Sequence, residues 1–223
     1  MAKILAIETA TDACSAALLV DGEIDSRFEV AARQHASLIL PMVAELLGNA
    51  ELAVNSLDAI AFGAGPGSFT GVRIATAVAQ GLALAHDIPV VPLSCLEILA
   101  LGGARTHGHE TIVPLMDARR QEIYWAVYTV DTTSKLAMNV VQDSLTAPGN
   151  FESPTLASWI GVGLGGKIYR EELIAAGVSP AKLKTDPQYP DAIDALQPAL
   201  WALQANIAVA AEFAEPIYLR RAL

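Results

Sequence analysis

The sequence predicts an α/β protein of two halves with similar plan, each a mixed sheet with flanking helices. Three observations predict it. The chain opens on apolar, β-prone runs joined by short polar turns, one of them Asp21-Gly22. Phe62–Arg73, FGAGPGSFTGVR, sets four glycines between an apolar run and a helical pattern, which reads as strand, glycine loop, helix. From Thr111 onward the strand–turn–strand opening repeats.

Lys3–Glu8 and Cys14–Val20 are the first two strands, joined by the turn Thr9–Ala13, and Ile24–Val30 is the third. Asp-Gly between β-prone runs is a strong hairpin signal. Gln34–Leu47 is a helix in which Leu38, Ile39, Leu40, Met42, Val43, Leu46 and Leu47 fill more than one face. So apolar a helix is buried on several sides or covered by something else. Pro41 is expected to kink it or to mark its first turn.

Leu57–Phe62 is the next strand. The glycine loop Gly65, Pro66, Gly67, Ser68, Phe69, Thr70, Gly71 and Arg73 leads into a helix over Gly71–His86, with Ser68 or Thr70 as cap. A helix start entered through such a loop suits an anion. A Walker loop needs Gly-Lys-Ser/Thr, however, and Gly71 precedes Val72-Arg73; Gly63 and Gly65 precede Ser68, which breaks G-x-G-x-x-G. A structural turn and an anion site both stay open. The helix carries two rows of small residues four apart: Ala75, Ala79 and Ala83, and Ala77, Gly81 and Ala85. One row satisfies this half's own sheet. The second, with the apolar first helix, points to a surface that a partner covers.

Val90–Pro92 reads as a strand and Cys95–Leu101 as a short helix, followed by a glycine-rich break at Gly102–His109. The break is taken as the domain boundary: residues 1–103, with about 205–223 returning to them, and residues 104–204. His107 and His109 form H-x-H without the further ligands a metal site needs, so no metal is expected. The second half has strands Thr111–Met116 and Ile123–Val130 around the turn Asp117–Glu122, and a third strand at Lys135–Gln142. Asp117 with Arg119 reads as a ligand pair or a solvated turn. Trp159–Val162 is a strand, and Gly161, Gly163 and Gly166 satisfy G-x-G-x-x-G without the complete βαβ unit that fingerprint requires. A strand–Gly-Gly–helix turn of this kind approaches an adenosine or phosphate at Gly163, Gly165 and Gly166. Helices over Lys167–Ala176 and Ala192–Phe213 and the segment Pro216–Arg220 complete the chain.

The formal charge is −10, which argues against this chain alone gripping a nucleic acid; its only basic doublets are Arg119-Arg120 and Arg220-Arg221. Hydrophobic residues make up 53%, yet no run of about 18 residues is free of polar interruption, so no membrane span is expected. The start lacks the apolar core of a signal peptide, and Cys14 and Cys95 lie in apolar stretches, which together predict a cytoplasmic protein with reduced thiols.

Five segments carry a resemblance: ILAIETATDACSAAL (Ile4–Leu18), RQHASLILPMVAELL (Arg33–Leu47), FGAGPGSFTGVRIA (Phe62–Ala75), MDARRQEIY (Met116–Tyr124) and PIYLR (Pro216–Arg220). Together they resemble the TsaB (YeaZ) family of the actin-like ATPase superfamily, in register across nearly the whole chain. The resemblance implies two ribonuclease-H-like domains. It implies a non-catalytic subunit that pairs with TsaD, a paralogue that works with TsaE and ATP to place threonylcarbamoyl on N6 of adenosine 37 in tRNA. ATP and magnesium then belong to the complex, with no cofactor held tightly by this chain, and tRNA is met only through the complex. The family pairs through its first two helices, which puts the interface at His35, Leu38, Ile39, Met42, Val43, Leu46, Ala75, Ala79 and Ala83; Leu38→Asp or Ala79→Glu is expected to break pairing in a folded chain. Glu8 and Thr9 stand where the superfamily approaches nucleotide, but Glu8 replaces the more usual Asp, and Asp117-Ala118-Arg119 lacks the glycine of Asp-x-Gly. His35 is followed four residues on by Ile39, so the H-x-x-x-H metal pair of TsaD-like catalysts is missing. Two further readings are a stand-alone ATPase or kinase using Glu8, the Gly65–Thr70 loop and Gly163–Gly166, and a peptidase, for which Ser68, His35 and Asp117 form no recognisable triad. Self-association through the same helices is compatible with the partner reading.

Overall fold

The structure, a computed structural model, describes residues 2–186 and 188–220. The described residues divide into two compact units, one running to Ile98 with Pro190–Ile217, the other Leu99–Tyr189 with residues 218–220.

In the first unit, β1 (Lys3–Glu8), β2 (Ala13–Val20) and β3 (Glu23–Val30) form an antiparallel meander, and β4 (Ala59–Gly65) and β5 (Val90–Ser94) add in parallel, giving the order β3-β2-β1-β4-β5. Asp21 and Gly22 both take positive φ (54° and 96°), as a two-residue hairpin with the right twist requires. Alternation along β1 sends Leu5 and Ile7 to one face and Ile4 and Ala6 to the other. The Leu5 face is covered by α1 (His35–Asn49) and α2 (Phe69–Leu84). The Ile4 face is covered by the helix Ala192–Gln204.

Several features depart from the sequence reading. The helix α1 runs unbroken past Pro41, which sits on its exposed side. The helix α3 spans Cys95–His107 in one piece, with no break at Gly102. At Gly103 an added Cβ would lie 2.9 Å from Val162 and 3.3 Å from Ile112, so this glycine serves close approach, not termination. The last helix ends at Gln204, not Phe213, and belongs to the first unit, where Ala192, Ala195, Leu196 and Ala199 bury against Ile4 and Ala6. The domain division therefore falls inside α3 and before Pro190.

In the second unit, β6 (Thr111–Asp117), β7 (Ile123–Asp131) and β8 (Leu136–Thr146) are antiparallel and β9 (Ile160–Val162) pairs in parallel with β6, in the order β8-β7-β6-β9. The expected helix over Lys167–Ala176 is two short ones, α4 (Leu164–Ile168) and α5 (Arg170–Ala175). The core holds Val113, Leu115, Ile123, Val127, Trp159 and Leu173, with Phe151 edge-on to Trp125 at 4.9 Å. The helix Ala192–Gln204 completes the count as α6. Among the described residues no helix is long and apolar enough to cross a membrane.

Candidate functional site

The glycine loop is closed against the β1–β2 turn. The Ser68 N–H donates to Ala10 O (2.7 Å), and the Thr9 hydroxyl donates to Gly71 O (2.7 Å). A Cβ at Gly71 would collide with the Thr9 carbonyl, and one at Gly67 would sit 2.6 Å from Ala10. Gly65, at φ 116°, lies under the Ile217 carbonyl, and the Ile217 N–H donates to Ala64 O (2.6 Å). These glycines thus let the loop pack closely against the β1–β2 turn and the Ile217 backbone. Ser68 is the cap of α2, its Oγ accepting from the Gly71 N–H at 3.4 Å. Phe69 and Arg73 stand one turn apart outside, the guanidinium 3.6 Å above the ring.

Glu8 is fully buried. Its Oε1 accepts the Ala10 N–H at 2.5 Å, while Oε2 has no ordinary hydrogen-bond partner and faces Gly63 and the Cys95 thiol. Burial pushes the carboxyl up to about 7, against the opposing pull of the Ala10 N–H and the thiol. The side chain thus folds back onto its own turn, and Thr9 beside it is buried as well. Cys14, also buried, is pushed up to about 11, mainly by burial, and is an inert core thiol.

The nine expected interface positions divide. Ile39, Met42, Val43, Leu46, Ala75, Ala79 and Ala83 lie in the first unit's core against Leu5, Ile7, Phe62 and Ala64; His35 is buried with Nε2 unpartnered; Leu38 is half-buried. The outward faces of α1 and α2 present other residues: Leu40, Pro41 and Ala44 on the first, Phe69, Ala77, Gly81 and Leu84 on the second. Leu40, Phe69 and Leu84 are 50–60% exposed. Phe28 and Val30 on the edge strand β3 are exposed as well. The outward small row is Ala77, Gly81 and Ala85, and nothing lies within 4 Å of a Cβ built at Gly81.

In the second unit Gly163 (φ 103°) and Gly165 press on the β6 backbone; added Cβ atoms would lie 2.5 and 2.9 Å from Leu115 O. Gly166 lies 3.1 Å from the Leu115 side chain by the same measure. These glycines let α4 dock on β6. Asp117 ends β6: its Oδ1 accepts the Arg119 N–H (2.8 Å) and the Tyr169 hydroxyl (2.9 Å), and its Oδ2 pairs with Arg119 Nη1 at 3.0 Å. Arg220 bonds to the Ala118 carbonyl and the Glu122 carboxylate. His107 pairs with Asp186 at 3.5 Å, and no metal-binding group of three His, Cys, Asp or Glu occurs among the described residues.

A family model described as "TsaD: tRNA N6-adenosine threonylcarbamoyltransferase" matches residues 28–216. The "tRNA threonylcarbamoyladenosine biosynthesis protein TsaB" of Escherichia coli is 36% identical over 98% of this chain and 94% of its own length. The chain belongs to the TsaB family. The Haemophilus influenzae TsaB is 48% identical over 55% of this chain and 52% of its own. The structure of "YeaZ from Pseudomonas aeruginosa" superposes with a TM-score of 0.91 at 40% identity, covering 98% of this chain and all of that one.

For a TsaB-family chain, two features of the site were beyond the sequence reading. The outward residues Leu40, Phe69 and Leu84 were hidden because both helices are apolar nearly all round, so periodicity selects no face. The Ala77–Gly81–Ala85 row was the available signal. The Glu8–Cys95 contact joins residues from β1 and α3, and no spacing announces it.

Proposed function

We propose that this chain is a non-catalytic scaffold subunit that pairs with a TsaD-like transferase for N6-threonylcarbamoylation of adenosine 37 in tRNA. The observation that carries the reading is the outward apolar face of α1 and α2, with its row of small residues. Small side chains let a second helix pair approach closely, and the exposed Leu40, Phe69 and Leu84 supply the apolar area such an approach buries. The relatives' names supply the process. The sheet order β3-β2-β1-β4-β5 supports a ribonuclease-H-like unit of the actin-like ATPase superfamily, and the four strands β6–β9 a reduced copy of it. Catalysis, ATP with magnesium and TsaE belong in this reading to the cytoplasmic complex, and tRNA is met there. The buried, self-bonded Glu8 supports a role without nucleotide hydrolysis.

The test is size-exclusion chromatography of the chain with the TsaD-like protein of the same source. Wild type is expected to shift into a mixed complex. Leu84→Asp and Ala77→Glu are expected to abolish the shift while leaving the melting temperature nearly unchanged, because both positions are exposed. Ala79→Glu is unsuitable, since it places a charge in the core. Full complex formation by both folded surface variants removes the helix-face reading.

A further inference from the structure

The two basic doublets of this acidic chain, Arg119-Arg120 and Arg220-Arg221, are 100 residues apart in sequence. In the second unit Arg220 reaches the carbonyl of Ala118 and the carboxylate of Glu122, the residues that bracket Arg119–Gln121. The turn itself is strained. Arg119, Arg120 and Gln121 take φ of 60°, 55° and 59°, the one run of consecutive non-glycine residues with positive φ among the described residues. The left-handed region is unfavourable for any residue with a side chain, and the conformation persists because it is held from several sides. Asp117 accepts the Arg119 N–H, Ala118 and Glu122 share a backbone bond of 2.9 Å, and Tyr169 bonds Asp117 from α5's side of the fold. Strain maintained in this way points to a use for the displayed side chains.

The strain displays arginine. Arg119, Arg120 and Gln121 are all exposed, Arg119 by 73% of its side chain. Two carboxylates lie in the cluster, Asp117 on Arg119 and Glu122 on Arg220, and they fix those guanidinium groups in place. Arg120 has no such carboxylate among the described residues. No large exposed apolar residue lies on β6, β7 or this turn.

We infer that the Arg119–Gln121 turn, with Arg220 beside it, is the place where this chain contacts the phosphate backbone of RNA. The inference rests on the proposed function, in which tRNA is the substrate of the assembly. A few arginines on a chain of charge −10 bind weakly alone, so the patch adds to a larger positive surface supplied by the partner.

The experiment titrates a fluorescent transcript of a tRNA reading codons that begin with A, across a salt series, with the full chain alone and with the TsaD-like protein. Arg119→Ala/Arg120→Ala is compared with wild type, and Arg120→Gly is included because glycine accepts the left-handed backbone and keeps the turn. The expected result is affinity lower by about tenfold in the double variant, with the slope of log K on log salt reduced by about 1 to 2. Arg120→Gly is expected to melt no lower than wild type and still to bind RNA more weakly. Unchanged affinity and slope in a folded double variant that still forms the complex overturn the inference and leave the proposed function standing. If wild type forms no complex, the proposed function fails separately. The patch is then judged on the chain alone at low ionic strength, where binding lost in the double variant supports it and absent or equal binding overturns it. Loss of the TsaD-like protein instead of RNA marks the turn as a protein contact and also overturns it.

Discussion

Glu8 and Asp117 hold equivalent places in the two units. Each ends the first strand of its sheet, and each carboxylate accepts the backbone N–H two residues on, Ala10 in one case and Arg119 in the other. The same local device then diverges. Glu8 is sealed beneath Gly63 and Cys95, and its acid group rises to about 7. Asp117 keeps a guanidinium and a phenol as partners and anchors an exposed turn of arginines. An identical turn bond thus serves a closed core in one unit and a charged display in the other; what differs is whether a second strand–loop–helix closes over it. In the first unit the glycine loop does so. In the second, the glycines of α4 dock on β6 and leave the turn open.

The comparison breaks most severely if the loop is lifted off Glu8. Gly71→Ala drives a Cβ into the Thr9 carbonyl, a backbone atom that cannot swing aside. The expected cost is about 3 kcal/mol or more, among the largest single-residue effects. Gly166→Ala in the second unit meets a leucine side chain at 3.1 Å and is expected to cost less, since that side chain can shift. Urea unfolding of both variants measures the difference, and equal losses would mean that the two glycine turns are equally closed.

The next effect is titration of Glu8. Its folded value, about 7, lies above the model-peptide value of 4.5. Below pH 4.5 both states are protonated and the group is neutral to stability. As pH rises from 4.5 to 7 the unfolded chain releases its proton first, so stability falls, and above 7 the loss is constant at about 3 kcal/mol. Glu8→Gln keeps the acceptor for the Ala10 N–H and carries no charge. It is expected to be more stable than wild type at pH 8, equal at pH 4, and to flatten the profile between. Melting curves across that range check it, and a Glu8→Gln profile parallel to wild type would show that the carboxyl is solvated.

Turns were the legible part of this sequence, because turn chemistry is local. Asp21-Gly22 announces two positive φ values, and Ser68 announces a cap three residues ahead of its donor at Gly71. What failed depends on distant atoms. Gly102 and Gly103 read as a break, but Gly103 is small because Val162 and Ile112 crowd α3. The helix α6 follows the second unit in sequence, yet it belongs with β1, and composition carries no sign of that return. The inward row Ala75–Ala79–Ala83 and the outward row Ala77–Gly81–Ala85 have the same spacing and nearly the same residues. Which one faces the sheet is settled by packing against Leu5, Ile7 and Phe62, which small-residue rows do not encode.

The smallest effect tests how the open turn is held. Tyr169→Phe removes one hydroxyl bond to Asp117 Oδ1 and leaves the ring in place. Asp117 still accepts the Arg119 N–H and still pairs with the guanidinium, so no buried group is orphaned. The expected loss is about 1 kcal/mol, the ordinary net worth of one hydrogen bond. Its location is more informative than its size. Amide exchange should quicken at Arg119 and Glu122, whose N–H groups depend on the turn, and stay unchanged at Ala10, whose partner carboxylate lies in the other unit's core. Faster exchange at Ala10 as well would mean that the two acid-ended strands are coupled, and that the closed and open turns belong to one cooperative framework.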